Sequence, residues 1–186
     1  MTDLIIKNGN CFIDDNLVST DIAIKDKKIV KIGKNLTDAK EIVDASWLTV
    51  LPVCIDTQTH FREPGSTDTE DLNSGSRAAI VGGITSVFEM PNTNPPTSNK
   101  KEFQRKLDLA KNRMYCNYAF YFGATADNAK ELAELKNLEG CCGIKLFAGS
   151  STGNLLVADE KDIETVFQNS STVVAVHSED EEILNM

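Results

Sequence analysis

Asp56-Thr57-Gln58-Thr59-His60-Phe61-Arg62-Glu63-Pro64-Gly65 is a polar decapeptide that directly follows the apolar run 48–55. It places a carboxylate, an imidazole and a guanidinium close together and ends in Pro-Gly, a pair that reverses the chain. This mixture of polar side chains contributes nothing to a core strand at its end, whereas it is typical of a functional site. We therefore interpret the decapeptide as part of a site, and the downstream chain as the scaffold that presents it together with two later strand ends.

Predicted strands and helices alternate regularly after residue 50. The predicted strands span residues 47–55, 84–90, 115–122, 142–147 and 172–176. The predicted helices span residues 70–81, 127–138 and 159–168, together with one that Ser98 would N-cap and that carries periodic apolar residues as far as Met114. This alternation indicates parallel strands with right-handed crossovers, as in a doubly wound sheet or a (β/α)8 barrel.

The position of the polar residues distinguishes these two architectures. A doubly wound sheet that binds nucleotides needs a glycine-rich phosphate turn, and neither GxGxxG nor GxxxxGK[ST] occurs. A barrel instead carries its chemistry at the carboxyl ends of several strands, which is where polar residues occur here. We predict an α/β protein with a partial (β/α)8 TIM-type barrel of about five β/α units over residues 51–186.

Residues 1–50 form a separate β-rich segment. Short β-branched runs alternate with turn signals at Gly9-Asn10, Asp14-Asp15-Asn16 and Asp26-Lys27. The segment is too small to be a comfortable domain by itself. We therefore expect it to pack with another part of the molecule.

Bulk properties exclude several classes of protein. A net charge of -9 without a basic stripe argues against nucleic-acid binding. No secretory signal is visible, and no apolar run approaches the ~20 residues of a membrane span. The five cysteines lack CxxC spacing, and we predict Cys54, Cys116 and Cys142 to be buried free thiols. A cytoplasmic protein is the simplest expectation.

Both histidines of the chain, His60 and His177, directly follow predicted strands. A single histidine is more often a hydrogen-bonded structural residue than a ligand. Because both histidines lie at strand ends and next to acidic residues, a role as metal ligands stands beside the structural one.

Lys145 lies inside the apolar strand Gly143-Ile144-Lys145-Leu146-Phe147. Burial would lower its pKa and favour the neutral amine, which can take up carbon dioxide to form a carbamate, a carboxylate-like metal ligand. Alternatively, its ammonium group emerges at the strand end and pairs with an acid. The residue considered alone favours the ion pair.

Arg62 and Asn92 are candidate substrate-binding residues. Arg62 offers a bidentate fork for a carboxylate, and Asn92 offers amide donors after the second strand of the barrel. The alternatives are an ion pair of Arg62 with Glu63 or a nearby aspartate, and turn chemistry for Asn92.

Gly149-Ser150-Ser151-Thr152-Gly153 matches the GxSxG motif of serine hydrolases. The following residues are a poor helix start, and His177 comes too soon to complete a triad. We interpret the match as chance.

Taken together, these motifs resemble the dihydroorotases of the amidohydrolase superfamily. The resemblance extends from about residue 51 to residue 182 and, more loosely, through the β-rich start. It rests on the segments His60-Phe61-Arg62-Glu63-Pro64-Gly65, Ser74-Gly75-Ser76-Arg77-Ala78-Ala79, Gly82-Gly83-Ile84-Thr85, Met90-Pro91-Asn92-Thr93, Gly143-Ile144-Lys145-Leu146-Phe147 and Val176-His177-Ser178-Glu179. Arg62 with Met90-Pro91-Asn92-Thr93 looks like dihydroorotase rather than allantoinase or hydantoinase.

The resemblance implies a metal-dependent cyclic amidohydrolase that interconverts L-dihydroorotate and N-carbamoyl-L-aspartate in de novo pyrimidine (UMP) biosynthesis. It implies one or two Zn²⁺ ions held by His60, His177 and carboxylated Lys145. Arg62 and Asn92 would bind the substrate carboxylate. Residues 1–50 would belong to a small composite β-sandwich domain.

Two departures from the family pattern matter. The DxHxH motif is here Asp56-Thr57-Gln58-Thr59-His60, and an amide oxygen such as that of Gln58 is a poorer zinc ligand than imidazole. The chain is also too short to close a barrel of eight strands. We therefore expect a further histidine ligand and the general-base aspartate beyond Met186, and no catalysis by this chain alone.

The expected partners follow from the same resemblance. The principal partner is the small-molecule substrate, with a homodimer possible. The alternative function, which Gln58 favours, is a non-catalytic dihydroorotase-like scaffold that binds aspartate carbamoyltransferase.

Overall fold

The structure is a computed structural model that describes residues 1–149, 154–184 and 186, and it divides the chain into two compact units, Met1–Val53 and Cys54–Met186. Positions 150–153 of the GxSxG match lie outside the described residues. Within the described part of the chain, no helix is long and apolar enough to cross a membrane.

The first unit is a single five-stranded sheet. Its strands are β1 Thr2–Ile13, β2 Asn16–Lys25, β3 Lys28–Gly33, β4 Ala39–Asp44 and β5 Thr49–Val50. The order is β3-β2-β1-β4, with β5 also paired to β1. β1, β2 and β3 are antiparallel neighbours, whereas β4 and β5 run parallel to β1.

Two-residue turns join the first three strands. Asp14 and Asp15 connect β1 to β2, and Asp26 and Lys27 connect β2 to β3. All four residues have positive φ, between 48° and 63°, which is the backbone conformation that type I′ hairpins require. These two predicted turns are thus confirmed, whereas the turn predicted at Gly9-Asn10 is wrong, because both residues lie inside β1, next to an irregularity in its pairing with β2.

The second unit contains a curled sheet of five parallel strands. The strands are β6 Cys54–Thr59, β7 Ile84–Glu89, β8 Asn117–Gly123, β9 Cys141–Phe147 and β10 Val174–His177, and they follow one another in sequence order across the sheet. Between them lie α1 Leu72–Val81, α2 Lys100–Ala110, a 3₁₀ helix Ala129–Asn137 and α3 Glu160–Asn169, and α4 Glu181–Leu184 follows β10. This half-barrel confirms the predicted fold class.

Several local predictions were wrong. The single predicted strand 47–55 is two strands, β5 and β6. Of the cysteines predicted to be buried, Cys54 at the start of the edge strand β6 is exposed and Cys142 is only partly buried. The third predicted helix is a 3₁₀ helix. Asn99, rather than Ser98, caps α2, since the Asn99 side chain accepts the Glu102 N–H at 2.9 Å while the Ser98 carbonyl accepts a hydrogen bond from Asn128.

The core of the second unit lies between the sheet and the helices. It is an aromatic and aliphatic cluster whose fully buried members include Phe103, Phe120, Phe122, Leu132 and Leu146. Phe103 of α2 packs against both Phe120 and Phe122 of β8, with ring centroids 6.4 and 6.1 Å apart. Packing of this kind fixes α2 against the sheet and so fixes the ends of β7 and β8.

Asp71 begins α1 as the N-cap of a capping box. Its carboxylate accepts the Ser74 N–H at 2.7 Å, and the Ser74 hydroxyl accepts the Asp71 N–H at 3.3 Å. The hydrogen bond from the Ser74 N–H is the main reason why the pKa of Asp71 lies below its ordinary value of 3.8.

Asp71→Ala should lower the free energy of unfolding by about 1 kcal/mol at neutral pH. Because the pKa of Asp71 is lowered on folding, its ionised form stabilises the protein fully above about pH 4, and this contribution disappears as the pH falls through the folded-state pKa. Unfolding of both proteins between pH 2 and pH 7 measures the difference. A difference that stays constant over this range would contradict the prediction.

Candidate active site

Four of the predicted site residues lie at or near the carboxyl ends of the parallel strands. His60 directly follows β6, Asn92 follows β7 by three positions, Lys145 lies near the end of β9, and His177 is the last residue of β10. Parallel strands present their carboxyl ends at the same edge, which is where barrels of this type carry their active sites.

His60 and Asn92 are in direct contact. The His60 Nδ1 atom lies 2.9 Å from the Asn92 Oδ1 atom. An amide oxygen can only accept, so His60 donates its Nδ1 hydrogen and keeps the Nε2 lone pair for another partner. This is the arrangement in which a histidine serves as a metal ligand while a second side chain holds its ring.

The surroundings of His60 favour its neutral form. Its pKa is lowered chiefly by burial and further by the positive charges of Arg62, Lys145 and Lys106, while the bond to Asn92 acts in the opposite direction. The influence of three cations on one imidazole shows that their charges converge on the same region. Such a region favours anions, including carboxylates.

Lys145 is buried, with only 3% of its surface exposed. Its Nζ atom lies 5.0 Å from the centre of the Phe147 ring, and burial lowers the pKa of its amine. Within the described residues no carboxylate lies in ion-pair range of Lys145, so the alternative of a simple ion pair has no support there.

His177 shares the Phe147 ring with Lys145. The two aromatic centroids are 6.1 Å apart, and the His177 Nε2 atom lies 2.9 Å from the Glu179 Oε2 atom. A Cβ atom at Gly149 would lie only 2.3 Å from the Glu179 Cβ atom, so this position has room only for glycine. The glycine thus lets the chain approach Glu179 closely, and the Glu179 carboxylate lies within hydrogen-bond distance of the His177 ring.

Glu63 pairs with Arg113 rather than with Arg62. The Arg113 guanidinium donates to both carboxylate oxygens, at 2.7 and 3.2 Å, and the Leu72 N–H donates to the same group at 3.0 Å. The chain passes through a left-handed conformation at Arg62, with φ of 62°. The expected alternative, an Arg62–Glu63 ion pair, is thus not formed, and the Arg62 guanidinium is not committed to Glu63.

Phe61 fixes the backbone between His60 and Arg62. It is buried against Gly75 of α1, where a Cβ atom would lie 2.4 Å from the Phe61 ring. The glycine therefore permits α1 to approach the strand end closely. Packing of Phe61 holds the two flanking site residues in place.

Gln58 lies on the exposed edge strand β6. Its side chain is exposed, and its backbone N–H donates to the Asp56 carboxylate at 2.9 Å. This hydrogen bond involves the backbone of Gln58 and not its side-chain amide. The structure gives no contact between the Gln58 amide and the other predicted ligands among the described residues.

A metal site at the carboxyl ends of these strands would need Lys145 as one of its ligands. Within the described part of the chain, no group of three or more histidine, cysteine, aspartate or glutamate side chains could hold a metal ion. Two imidazoles and a buried amine of lowered pKa do form a fitting donor set if the amine becomes a carbamate, because that group supplies anionic oxygen. The donor chemistry therefore fits zinc with carboxylated Lys145.

Glu89 and Lys106 were missed in the sequence. They form an ion pair and are 1% and 0% exposed. Burial raises the pKa of Glu89 to about 7, and it also lowers the pKa of Lys106. One available signal was the position of Lys106, which lies on the same helical face as Phe103 and Ala110.

Comparison with known proteins places the chain in a family. Residues 49–167 match the profile of the Amidohydrolase family. The chain is 35% identical to a dihydroorotase of Methanosarcina mazei over 98% of its own length and 41% of that protein. It is 39% identical to an allantoinase of Escherichia coli over 87% of its own length and 36% of that enzyme.

A solved structure gives the same relationship. The L-hydantoinase (dihydropyrimidinase) of Arthrobacter aurescens superposes with a TM-score of 0.90 at 28% identity, covering 100% of this chain and 42% of the hydantoinase. The chain thus spans about two fifths of the length of the curated relatives, 41% and 36% of those named. The family match and the relatives identify this chain as a member of the amidohydrolase family.

Proposed function

We propose that the whole protein is a dihydroorotase, which reversibly hydrolyses L-dihydroorotate to N-carbamoyl-L-aspartate in de novo pyrimidine biosynthesis. The observation that carries the proposal is the contact between His60 and Asn92 beside Arg62. A histidine held as a metal-ligand histidine is held thus lies beside Arg62 and Asn92, two residues that can bind a carboxylate. L-dihydroorotate bears such a carboxylate on its ring, whereas hydantoin and allantoin carry none.

His60, His177 and carboxylated Lys145 would hold one or two zinc ions. When bound, zinc polarises an amide carbonyl and lowers the pKa of water to about 7. The chain's own residues prepare this site: Asn92 keeps the His60 Nε2 atom available, and burial lowers the pKa of the Lys145 amine and so favours the neutral form that can accept carbon dioxide. We assign Gln58 at most a weak ligand role.

Arg62 and Asn92 would bind and orient the substrate. The Arg62 guanidinium offers parallel donors to both oxygens of a carboxylate, and the Asn92 Nδ2 group is a further donor because its Oδ1 atom is taken by His60. Holding the carboxylate at two adjacent strand ends would fix the ring amide relative to His60. Orientation of this kind contributes directly to the rate of hydrolysis.

Arg62→Met should raise KM for L-dihydroorotate about 10- to 100-fold, since hydrogen bonds to a charged group contribute about 1.5–3 kcal/mol. The complete protein is assayed against L-dihydroorotate, hydantoin and allantoin. Arg77→Met, which removes an exposed guanidinium that stacks on Tyr115, is the matched control. Preference of the unaltered protein for hydantoin or allantoin would refute the dihydroorotase assignment and leave the family assignment intact.

Residues 1–50 and 51–186 are proposed to serve different purposes. The first segment would contribute to a composite β-sandwich domain, and the second to the hydrolase barrel. Exposed apolar side chains on the first sheet support this division: Ile29, Val30, Ile32, Ile42 and Val43. The general-base aspartate would come from outside these residues, so the 186-residue chain alone would be inactive.

Gln58 also supports a second candidate function. Loss of one family imidazole is compatible with a non-catalytic scaffold that binds aspartate carbamoyltransferase. Zinc analysis of the complete protein separates the two. Stoichiometric zinc that is lost in His177→Ala supports the enzyme, whereas absence of zinc together with tight transcarbamoylase binding supports the scaffold.

A further inference from the structure

Glu63 carries a buried carboxylate and directly follows Arg62 in the chain. Only 7% of its surface is exposed, and three hydrogen-bond donors converge on it. Two of these donors belong to the Arg113 guanidinium, and the third is the N–H of Leu72, the first residue of α1. Parallel donation by a guanidinium to both oxygens of a carboxylate is strong and directional. The carboxylate therefore connects the loop after β6 to the helices.

Arg113 is itself held in place by α1 and α2. It follows the end of α2, and its Nη1 atom also donates to the Leu109 carbonyl of that helix at 3.1 Å. The Arg113 N–H donates to the Ala110 carbonyl at 3.0 Å, and the Arg113 carbonyl accepts a hydrogen bond from the Asn73 side chain of α1 at 3.2 Å. Glu63 is thus bound to a guanidinium whose own position both helices fix.

Arg62 lies between two anchored residues. On one side Phe61 packs against Gly75 of α1, and on the other side Glu63 is bound by Arg113. Arg62 itself has a left-handed backbone conformation, with φ of 62°, which a non-glycine residue keeps only where its surroundings enforce it. A packed ring resists removal from its pocket, whereas directional hydrogen bonds also fix orientation. Glu63 is therefore the neighbour placed to hold the Arg62 backbone in this conformation.

The other polar contacts of this loop have a different partner. His60 contacts Asn92, and the Asn94 N–H donates to the Pro64 carbonyl at 2.9 Å. Both contacts join the loop after β6 to the loop after β7, and neither involves a helix. The hydrogen bonds that Glu63 accepts instead attach the loop to α1 and to the end of α2.

We propose that Glu63 and Arg113 are a positioning pair that holds Arg62 in its left-handed conformation and so places its guanidinium at the candidate active site. Neither Glu63 nor Arg113 touches the substrate. Glu63 acts through the backbone that it shares with Arg62, and Arg113 acts through Glu63. That Arg62 binds the carboxylate of L-dihydroorotate rests on the proposed function, whereas the positioning of its backbone does not.

The test is a double-mutant cycle in the complete protein. Arg113→Met removes both bonds to the Glu63 carboxylate, and Arg62→Met removes the guanidinium that the pair is proposed to position. Because the Arg113 side chain is 37% exposed, water can reach the carboxylate in Arg113→Met, and we expect this variant to fold. Arg105→Met is the matched control, since it removes a largely exposed guanidinium that contacts Glu102 of the same helix at 3.3 Å.

We expect Arg113→Met to raise KM for L-dihydroorotate about tenfold while kcat changes by less than about threefold, because small displacements of orienting groups have effects of this size. The same substitution in Arg62→Met protein should change KM by less than about twofold, since no guanidinium is left to position. Arg113→Lys keeps the charge but cannot donate two parallel bonds to a carboxylate, so its KM should be intermediate. Arg105→Met should leave both constants unchanged.

A purely structural pair gives different results. Arg113→Met would then raise KM by the same factor with and without the Arg62 guanidinium, or Arg105→Met would raise KM as much as Arg113→Met does. Either result overturns the proposal, as does an unchanged KM in Arg113→Met. If Arg113→Met does not fold, Arg113→Lys takes its place in the cycle, and the same results decide.

Hydrogen exchange tests the positioning separately from the proposed function. In Arg113→Met the amides of residues 61–72 should exchange about tenfold faster, while the amides of β9 keep their rates. Unchanged exchange over residues 61–72 would overturn the positioning pair. If the unaltered protein does not hydrolyse L-dihydroorotate, the proposed function fails, and the exchange rates still decide whether the pair holds the Arg62 segment.

Discussion

Replacement of Lys145 by methionine should reduce kcat/KM for L-dihydroorotate in the complete protein by at least about 10³-fold, or about 4 kcal/mol of transition-state stabilisation. Methionine preserves the volume of the side chain in its buried position but cannot form a carbamate. The zinc content should fall with the activity, because the carbamate would supply the anionic ligand between two imidazoles. Steady-state kinetics and metal analysis on the same preparation measure both losses.

A second substitution separates the carbamate from simple packing. Lys145→Ala leaves a space that a short carboxylic acid can enter, so added acetate or propionate should restore part of the activity. Lys161→Ala, at an exposed position of α3, is the matched control and should retain full activity. Full zinc content and undiminished turnover in Lys145→Met would contradict the ligand role. The 186-residue chain alone should show no turnover above that of Lys145→Ala.

Replacement of Gly75 by alanine should lower the free energy of unfolding by about 3 kcal/mol, near the upper end for overpacked cores. The added methyl group would lie 2.4 Å from the Phe61 ring, and that ring is buried against α1 and cannot move into solvent. Displacement of Phe61 would also move His60 and Arg62. KM for the substrate should therefore rise together with the loss of stability, as unfolding curves and kinetics can show.

Two further variants make the steric cause testable. Gly33→Ala is the control, because a Cβ atom at Gly33 meets nothing within 4 Å. Phe61→Leu should relieve part of the effect of Gly75→Ala, giving a favourable coupling energy in a double-mutant cycle. Equal losses in Gly33→Ala and Gly75→Ala, or strict additivity of the Phe61 and Gly75 substitutions, would contradict the explanation.

The sequence predicts most of the fold because the signals are local. Alternation of apolar runs with periodic helical segments is sufficient to predict parallel strands, and Asp14-Asp15 and Asp26-Lys27 suffice for the hairpins. Helix ends are harder to predict. Ser98 and Asn99 are both good N-caps, and the structure is needed to show that the Glu102 N–H donates to Asn99. The exposure of Cys54 depends on the order of strands in the sheet, which an apolar run does not reveal.

Some residues of the candidate site can likewise be predicted from the sequence, and others cannot. His60, Lys145 and His177 can be found because each is an unusual residue at or near a strand end. The partners of buried charges cannot be found so, because they are distant in sequence. Glu63 is bound by Arg113 rather than by its neighbour Arg62, and Glu89 by Lys106 of the following helix. Tertiary packing alone selects these pairs.

Two of the proposed ligands, Lys145 and His177, belong to strands, whereas the proposed substrate-binding residues Arg62 and Asn92 lie in the loops that follow β6 and β7. His60 is the exception, because it lies in the first of these loops and contacts Asn92. On the proposed assignments, exchange of positions 62 and 92 would change the cyclic amide that is bound while the two strand ligands stay the same. We therefore expect differences in substrate among the dihydroorotase, the allantoinase and the hydantoinase that this chain resembles to coincide with differences at positions 62 and 92.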